Sequence, residues 1–374
     1  MSSLKIILFR VCFCCLNIVY SFLKMLPTQK KYLFISKLDE TPPADFLVLA
    51  NALRIEHPDY KIVILCRTMK NKFRYVFHFF TQMYHLATSE VVFLERSCLA
   101  VHVLRHKKDL KVVQLWHALG SMKKFGYAIL DTEEGQPGDL ARVCHMHENY
   151  TYILISSKAF IQDYIEGFRT DGSNVVEIPL PHVDNLLDED YKTAKRKEIL
   201  TALPQLSEKK NIVYCPTFRK TPAGYTRQKI EELIECIDFE RFNFVYQPHP
   251  LSKVEISDSR VVRSGFSTQD MLLVADAVIS DYSSVIYEAG LLDLPVYLYA
   301  YDWSEYKKNR MHNIDIKHEI PVLFSEDPKP LIDVLQSDQF DYNAFRIFIE
   351  NNVRVPERGT CCDAIIDLID GCFD

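Results

Sequence analysis

The chain lacks the glycine-framed signatures of nucleotide and acyl chemistry: it has no G-x-x-x-x-G-K-[ST], no G-x-G-x-x-G and no G-x-S-x-G. H-E-x-x-H is missing as well. P-loop hydrolysis, fingerprint dinucleotide binding, α/β-hydrolase chemistry and zincin proteolysis are thereby excluded. An excess of positive charge is also absent. The formal net charge is −6, so the overall balance points to no nucleic-acid partner. Low-complexity tracts and short-period repeats are absent too. A small-x-small cleavage site does not follow the apolar N-terminal run, where Lys24-Met25-Leu26-Pro27 stands instead.

What is present is an ordinary globular composition, 48% hydrophobic and 25% charged over 374 residues, enough for two domains of roughly 150 residues each. The eleven cysteines are an odd number. Cys12 and Cys15 form a lone C-x-x-C in apolar surroundings with no second pair, which disfavours zinc and reads as reduced, buried thiols. Asp188-Glu189-Asp190 reads as a solvated face in a linker rather than a Mg²⁺ site.

Residues 4–26 are strongly apolar, yet only thirteen residues between Arg10 and Lys24 are free of charge, short of the roughly 18–20 that cross a bilayer. Ser3, Arg10, Asn17, Ser21 and Lys24 fall on one helical face, with Leu, Ile, Phe, Val and Cys around the rest. That pattern predicts an amphipathic helix over 1–27 lying in the membrane interface, the alternative being a helix packed on the protein's own core. Basic clusters at Lys30-Lys31, 70–74 and 105–108 suit an anionic cytoplasmic leaflet, although each also fits a solvated loop.

From residue 31 onward, short β-branched and aromatic runs alternate with helix-length stretches. The first set is Lys31–Ser36, Lys61–Cys66, Val91–Leu94, Lys111–Leu115, Tyr152–Ser156 and Val175–Leu180. The second is Asn211–Thr217, Phe242–Gln247, Arg260–Arg263, Ala277–Ser280, Pro295–Tyr299 and Pro321–Phe324. Several runs are apolar throughout, as strands buried on both faces require. The fold class expected is α/β with two doubly wound Rossmann-like domains, 28–185 on the acceptor side and 186–340 on the donor side, followed by helices over 341–374. Ligand is expected at the carboxyl ends of the strands, in the cleft between the domains.

Four strand ends carry chemistry. His117 follows the strand of Gln114-Leu115-Trp116, with Lys123 and Lys124 soon after. Thr217, Arg219 and Lys220 follow the strand at Val213-Tyr214, and Arg219 suits a bidentate phosphate contact. His249 is bracketed by Pro248 and Pro250, which fix its backbone. The turn Asp281-Tyr282-Ser283-Ser284 runs into a helix at Val285, and either serine is a natural N-cap whose neighbouring amides suit an anion.

These stretches, LWHALGSMKKFG (115–126), YCPTFRK (214–220), QPHP (247–250) and SDYSSVIYEAGLLDLPVYLYAYDWSEY (280–306), resemble the CDP-glycerol glycerophosphotransferases and CDP-ribitol ribitolphosphotransferases of teichoic acid synthesis. The resemblance implies a GT-B-like pair of domains. It also implies transfer of a polyol phosphate from CDP-glycerol or CDP-ribitol to an undecaprenyl-linked acceptor, with release of CMP, at the cytoplasmic face of a bacterial membrane. It places catalytic roles on His117 and His249 and donor binding on Thr217, Arg219, Asp281, Ser283, Ser284 and Glu288, with no cofactor and no metal required.

Trp-His-Ala-Leu-Gly replaces the Trp-His-Gly-Thr usual in the long polymerases and looks like the short, primase-like members. Arg310, followed by Met311 and His312, departs from the family's Arg-Gly-aromatic segment. Lys123 and Lys124 are candidates for the acceptor's diphosphate or the membrane surface, or are merely exposed. Two other readings stand beside this one: a polysialyltransferase-like sugar-nucleotide glycosyltransferase and a catalytically silent membrane-bound scaffold.

Overall fold

The computed structural model describes residues 3–68, 72–219 and 222–373. Lys70, Asn71 and Lys220, which the sequence reading singled out, lie outside them. The chain forms two compact units. The first is Met1–Ala118, Lys124–His182 and Arg354–Asp374; the second is Leu119–Lys123 and Val183–Val353. The division therefore falls after His182 rather than at 185, and residues 341–374 are not one element of their own. Residues 354–374 join the first unit: Arg354 N–H donates to Ser156 O at 2.7 Å, and Asp370 meets His57 at 3.1 Å.

Strands of the first unit are β1 (Lys31–Ser36), β2 (Lys61–Cys66), β3 (Val91–Leu94), β4 (Lys111–Gln114), β5 (Tyr152–Ile155) and β6 (Val175–Glu177). They form one parallel sheet in the order β2-β1-β3-β4-β5-β6. β1 and β3 are buried along their whole length, which is why their sequences are apolar runs without alternation. The chain goes from β1 to β2 on one side and then returns across β1 to β3, so the order reverses between β1 and β3. Loops leaving the carboxyl ends of β1 and β3 diverge there and open a crevice.

The second sheet repeats the design with β7 (Lys210–Tyr214), β8 (Phe242–Tyr246), β9 (Val261–Val262), β10 (Ala277–Ser280), β11 (Val296–Tyr299) and β12 (Phe324–Ser325). Its order is β12-β11-β10-β7-β8-β9, all parallel. The reversal here lies between β7 and β10. Ile212, Tyr214, Phe244, Ile279, Tyr297 and Tyr299 pack from the sheet against Ile230, Leu233, Leu331 and Leu335 from the helices. The segment after 182, whose sequence reads as helix plus linker, is helical over His182–Leu187 and Glu189–Ala202.

Ser3–Leu23 is a single helix, long and apolar enough to cross a membrane by length and composition. Its polar stripe is divided: Arg10 and Ser21 are exposed, whereas Asn17 and Lys24 bond the protein. Asn17 Nδ2 donates to Val103 O at 2.8 Å and its Oδ1 accepts from Arg105 N–H at 2.8 Å, while Lys24 Nζ donates to Arg105 O at 2.7 Å. Leu4, Ile7, Leu8, Val11, Ile18 and Phe22 are also exposed. Cys12, Cys14 and Cys15 are exposed as well, correcting the expectation of buried thiols, because the helix turns its apolar side away from the unit. Lys31 also departs from expectation. Instead of lying on a basic surface it is buried, with Nζ donating to Thr88 Oγ1 at 2.5 Å, and burial lowers its pKa to about 8.

Candidate functional site

In the first unit, β4 ends at Gln114 and the chain turns at Trp116, whose φ of 68° lies in the left-handed region. For a non-glycine residue this costs about 1–2 kcal/mol. The turn is held by the Trp116 N–H donating to Gln114 Oε1 at 3.1 Å and by the indole packing on Phe125 and Phe168, with ring centroids 4.7 and 5.1 Å away. The next residue, His117, thus leaves the sheet directly at the carboxyl end of β4, its ring 4.4 Å from that of Trp116.

His117 lines a cavity of about 180 Å³ together with Lys37, Arg96, Ser97, Trp116 and His147. Every lining residue belongs to the first unit. Lys37 follows β1, Arg96 and Ser97 follow β3, and His117 follows β4, so the cavity stands at the topological reversal. The main-chain carbonyl of Glu95 accepts a hydrogen bond from the His117 ring, which fixes one nitrogen as the protonated one and leaves the other as an acceptor. Desolvation by the cavity wall, then the Arg96 charge, hold the imidazole below its ordinary pKa. The residue keeps access to solvent, and at neutral pH the ring is uncharged, the form in which it can take a proton.

Sequence reasoning passed over Lys37, Arg96, Ser97 and His147. A usable signal existed, since Lys37 comes directly after Ser36 of β1 and Arg96-Ser97 two residues after β3, the strand-end criterion that found His117.

The second unit gathers its candidates at the carboxyl ends of β7, β8, β10 and β11. Asp281, fully buried, accepts from Thr217 N–H at 3.0 Å and from Tyr282 N–H at 2.5 Å. It thereby ties the loop after β7 to the turn after β10. Arg219 lies beneath this tie. Its Nη1 donates to Asp281 Oδ2 at 2.5 Å and to Thr217 O and Oγ1 at 3.0 Å, and its Nε and Nη2 donate to Asp302 at 2.7 and 3.0 Å. The guanidinium also rests 4.6 Å from the Tyr301 ring centroid and 5.3 Å from that of Tyr282. Its side chain is 3% exposed. The fork expected to meet a phosphate is occupied by two carboxylates, so Arg219, Thr217 and Asp281 brace the strand ends.

The groups left facing outward are others. His249 is exposed, its Nδ1 accepting from Leu251 N–H at 3.1 Å, so the neutral ring carries its proton on Nε2. Ser284 stands at the N-cap of Val285–Leu291 without a side-chain capping bond, and Ser283 Oγ accepts from Val285 N–H only at 3.4 Å. Both serines are half-buried. Glu288 is buried in the first turn of that helix.

The lysines after His117 separate. Lys124 pairs with Glu166 at 2.8 Å, whereas Lys123 lies 5.7 Å from the Tyr306 ring centroid and bridges to His312. Gly120, with φ of 68°, rests against the Tyr287 ring so closely that a Cβ would fall 2.2 Å from it. Gly120 is therefore a packing requirement of the second unit. Arg310 ends the helix Trp303–Asn309, its N–H donating to Tyr306 O at 3.0 Å. Among the described residues, no group of three or more His, Cys, Asp or Glu is placed to hold a metal ion.

Comparison with known proteins gives a consistent set. The family model for CDP-glycerol:poly(glycerophosphate) glycerophosphotransferase matches residues 18–369. The teichoic acid ribitol-phosphate primase of Bacillus spizizenii is 28% identical over 84% of this chain and 84% of its own. The teichoic acid glycerol-phosphate primase of Bacillus subtilis is 29% identical over 72% of this chain and 71% of its own. The Bacillus spizizenii poly(ribitol-phosphate) polymerase is 29% identical, but the match covers only 55% of it. Among solved structures, the wall teichoic acid polymerase TagF superposes with a TM-score of 0.76 at 17% identity, over 98% of this chain and 97% of that one. A Staphylococcus aureus MnaA–UDP structure reaches 0.56 at 13% identity, over 91% and 96%.

Proposed function

The chain belongs to the CDP-glycerol:poly(glycerophosphate) glycerophosphotransferase family, and on that premise we propose that it transfers glycerol phosphate or ribitol phosphate from a CDP-polyol to a hydroxyl of a lipid-linked acceptor in teichoic acid or related cell-surface polymer synthesis. CMP is the other product. The observation that carries this reading is the match over residues 18–369, which runs through both units and takes in His117, His249 and the turn at Ser283-Ser284.

The chemistry needs a base and a set of donors for phosphate oxygens. The acceptor oxygen bonds to the β-phosphorus of the donor while the bond from that phosphorus to the bridging oxygen breaks. The electron pair leaves on CMP and the hydroxyl proton passes to His117, whose neutral ring has one nitrogen open to receive it. His249 Nε2–H and the Ser283 and Ser284 hydroxyls meet the separating phosphates. Thr217, Arg219 and Asp281 hold those groups in place.

The N-terminal helix gives the protein its lipid-linked substrate's surface. With Asn17, Tyr20 and Lys24 bonded to the segment 103–106 and its apolar side exposed, the helix lies in the cytoplasmic membrane interface and the enzyme is peripheral. The test supplies purified protein with CDP-glycerol or CDP-ribitol and an undecaprenyl-diphosphate disaccharide, and follows CMP and product mass. No CMP from either donor would refute the reading. A folded His117→Ala protein with the wild-type rate would remove His117 as base.

A further inference from the structure

The cavity beside His117 contains two cations that the donor chemistry does not use. Lys37 Nζ donates to Ser97 Oγ at 3.0 Å, a neutral partner. Arg96 keeps its Nε buried with no hydrogen-bond partner. Each has its pKa lowered, chiefly by desolvation, the mark of a charge whose hydration is lost without a matching anion. The carboxyl of Glu95, the residue before Arg96, is buried and accepts from Ser36 at 2.5 Å, and burial raises its pKa.

A contrast within the same protein sharpens this. Arg219, at the equivalent reversal of the second sheet, is neutralised by two carboxylates, whereas Lys37 meets a hydroxyl and the buried Arg96 Nε has no hydrogen-bond partner. At about 180 Å³ the cavity is smaller than the roughly 300–1,000 Å³ that takes a drug-sized ligand. It suits a single small anionic group.

Resting on the transferase reading above, we propose that Lys37, Arg96 and Ser97 form a subsite for a phosphate of the acceptor, which sets the acceptor's hydroxyl against His117. A phosphate held here would place its negative charge beside the Lys37 and Arg96 cations that line the cavity and bring the adjoining hydroxyl to the open ring nitrogen. The phosphate can come from the lipid diphosphate or from a polyol phosphate already on the acceptor.

Trp116 lines the cavity and the chain has one other tryptophan, Trp303. In a Trp303→Phe background, inorganic pyrophosphate should therefore change the fluorescence of Trp116, and Arg96→Gln should abolish the change while Arg96→Lys keeps part of it. In turnover, Arg96→Gln and Lys37→Met should raise the acceptor KM about tenfold to a hundredfold, with CDP-glycerol affinity unchanged. Two acceptors separate the sources: an alkyl-diphosphate disaccharide without polyol phosphate, and a lipid-free glycerol phosphate oligomer. A KM rise with either supports the subsite and names its source. An unchanged KM with both, in variants whose melting matches wild type, overturns the subsite and leaves the transferase reading intact. No CMP from the wild-type protein with any acceptor overturns both, while retained pyrophosphate binding in Arg96→Gln overturns the subsite alone.

Discussion

Replacing Arg219 by methionine separates two roles that the same motif position can carry. Arg219 is 3% exposed, and its partners Asp281 and Asp302 are 0% and 5% exposed at the side chain. The substitution keeps the volume but leaves two buried carboxylates without their cation. Removing one partner from a buried ion pair costs about 3–5 kcal/mol. For a unit of this size, 1 kcal/mol moves Tm by about 2–4 °C, so the expected drop is on the order of 6–20 °C. Arg219→Lys should recover little, because one ammonium cannot meet two carboxylates and the Thr217 carbonyl in the planar fork geometry. The assay is thermal unfolding followed by circular dichroism, paired with CDP-glycerol titration well below the variant's Tm. An unchanged Tm together with lost CDP-glycerol affinity would refute the reasoning and make Arg219 a direct ligand of the donor phosphates.

The remaining expectations are briefer. Because desolvation and Arg96 both lower the His117 pKa from 6.5, the neutral base persists as pH falls, so the acid limb of kcat/KM lies below 6.5. Arg96→Gln moves that limb upward, and a wild-type limb above 6.5 would count against His117 as the base. Gly120→Ala combines a left-handed backbone with a collision against Tyr287 and should destabilise by roughly 2–4 kcal/mol; a Tm within 2 °C of wild type, by the same conversion, would contradict the packing described. Leu8 and Phe22 are both 68% exposed, so Leu8→Glu with Phe22→Glu should abolish sedimentation with anionic vesicles while leaving Tm in place. Undiminished sedimentation would move the membrane contact elsewhere.

The two sheets were readable because strands buried on both faces must be written as apolar runs, and β1, β3, β10 and β11 are of that kind. Short edge strands were less so: Pro321–Phe324 was expected, and the strand is Phe324–Ser325, since two hydrogen-bonded residues leave no period to detect. The positions of His117, His249 and the serine turn were legible as strand ends. What each residue bonds to was not. Arg219 and Asp302 are 83 residues apart, and only the fold shows that an arginine suited to phosphate meets carboxylates instead. Asn17 and Lys24 likewise read only as members of a polar stripe, because a sequence pattern shows which residues share a face but not what that face meets.

Under the proposed function, the two reversals divide one phosphoryl transfer between a donor side and an acceptor side. Between β7 and β10 the cation is locked to Asp281 and Asp302, a brace with little charge to offer, so the proposed donor contacts are the Ser283 and Ser284 hydroxyls and the His249 N–H. In the proposed reaction, release of CMP after each turnover gains from this, since neutral hydrogen bonds hold an anion less tightly than a free guanidinium would. Between β1 and β3 Lys37 and Arg96 form no carboxylate ion pair, and the neighbouring histidine is kept neutral by desolvation first and by the Arg96 charge second. A single charge placement thus draws in the acceptor and helps keep its base unprotonated. Neutralising that charge, for example by Ser97→Asp, should impair both at once, raising the acceptor KM and shifting the acid limb of kcat/KM towards higher pH, and a change in only one of the two would separate the roles that the cavity's geometry joins.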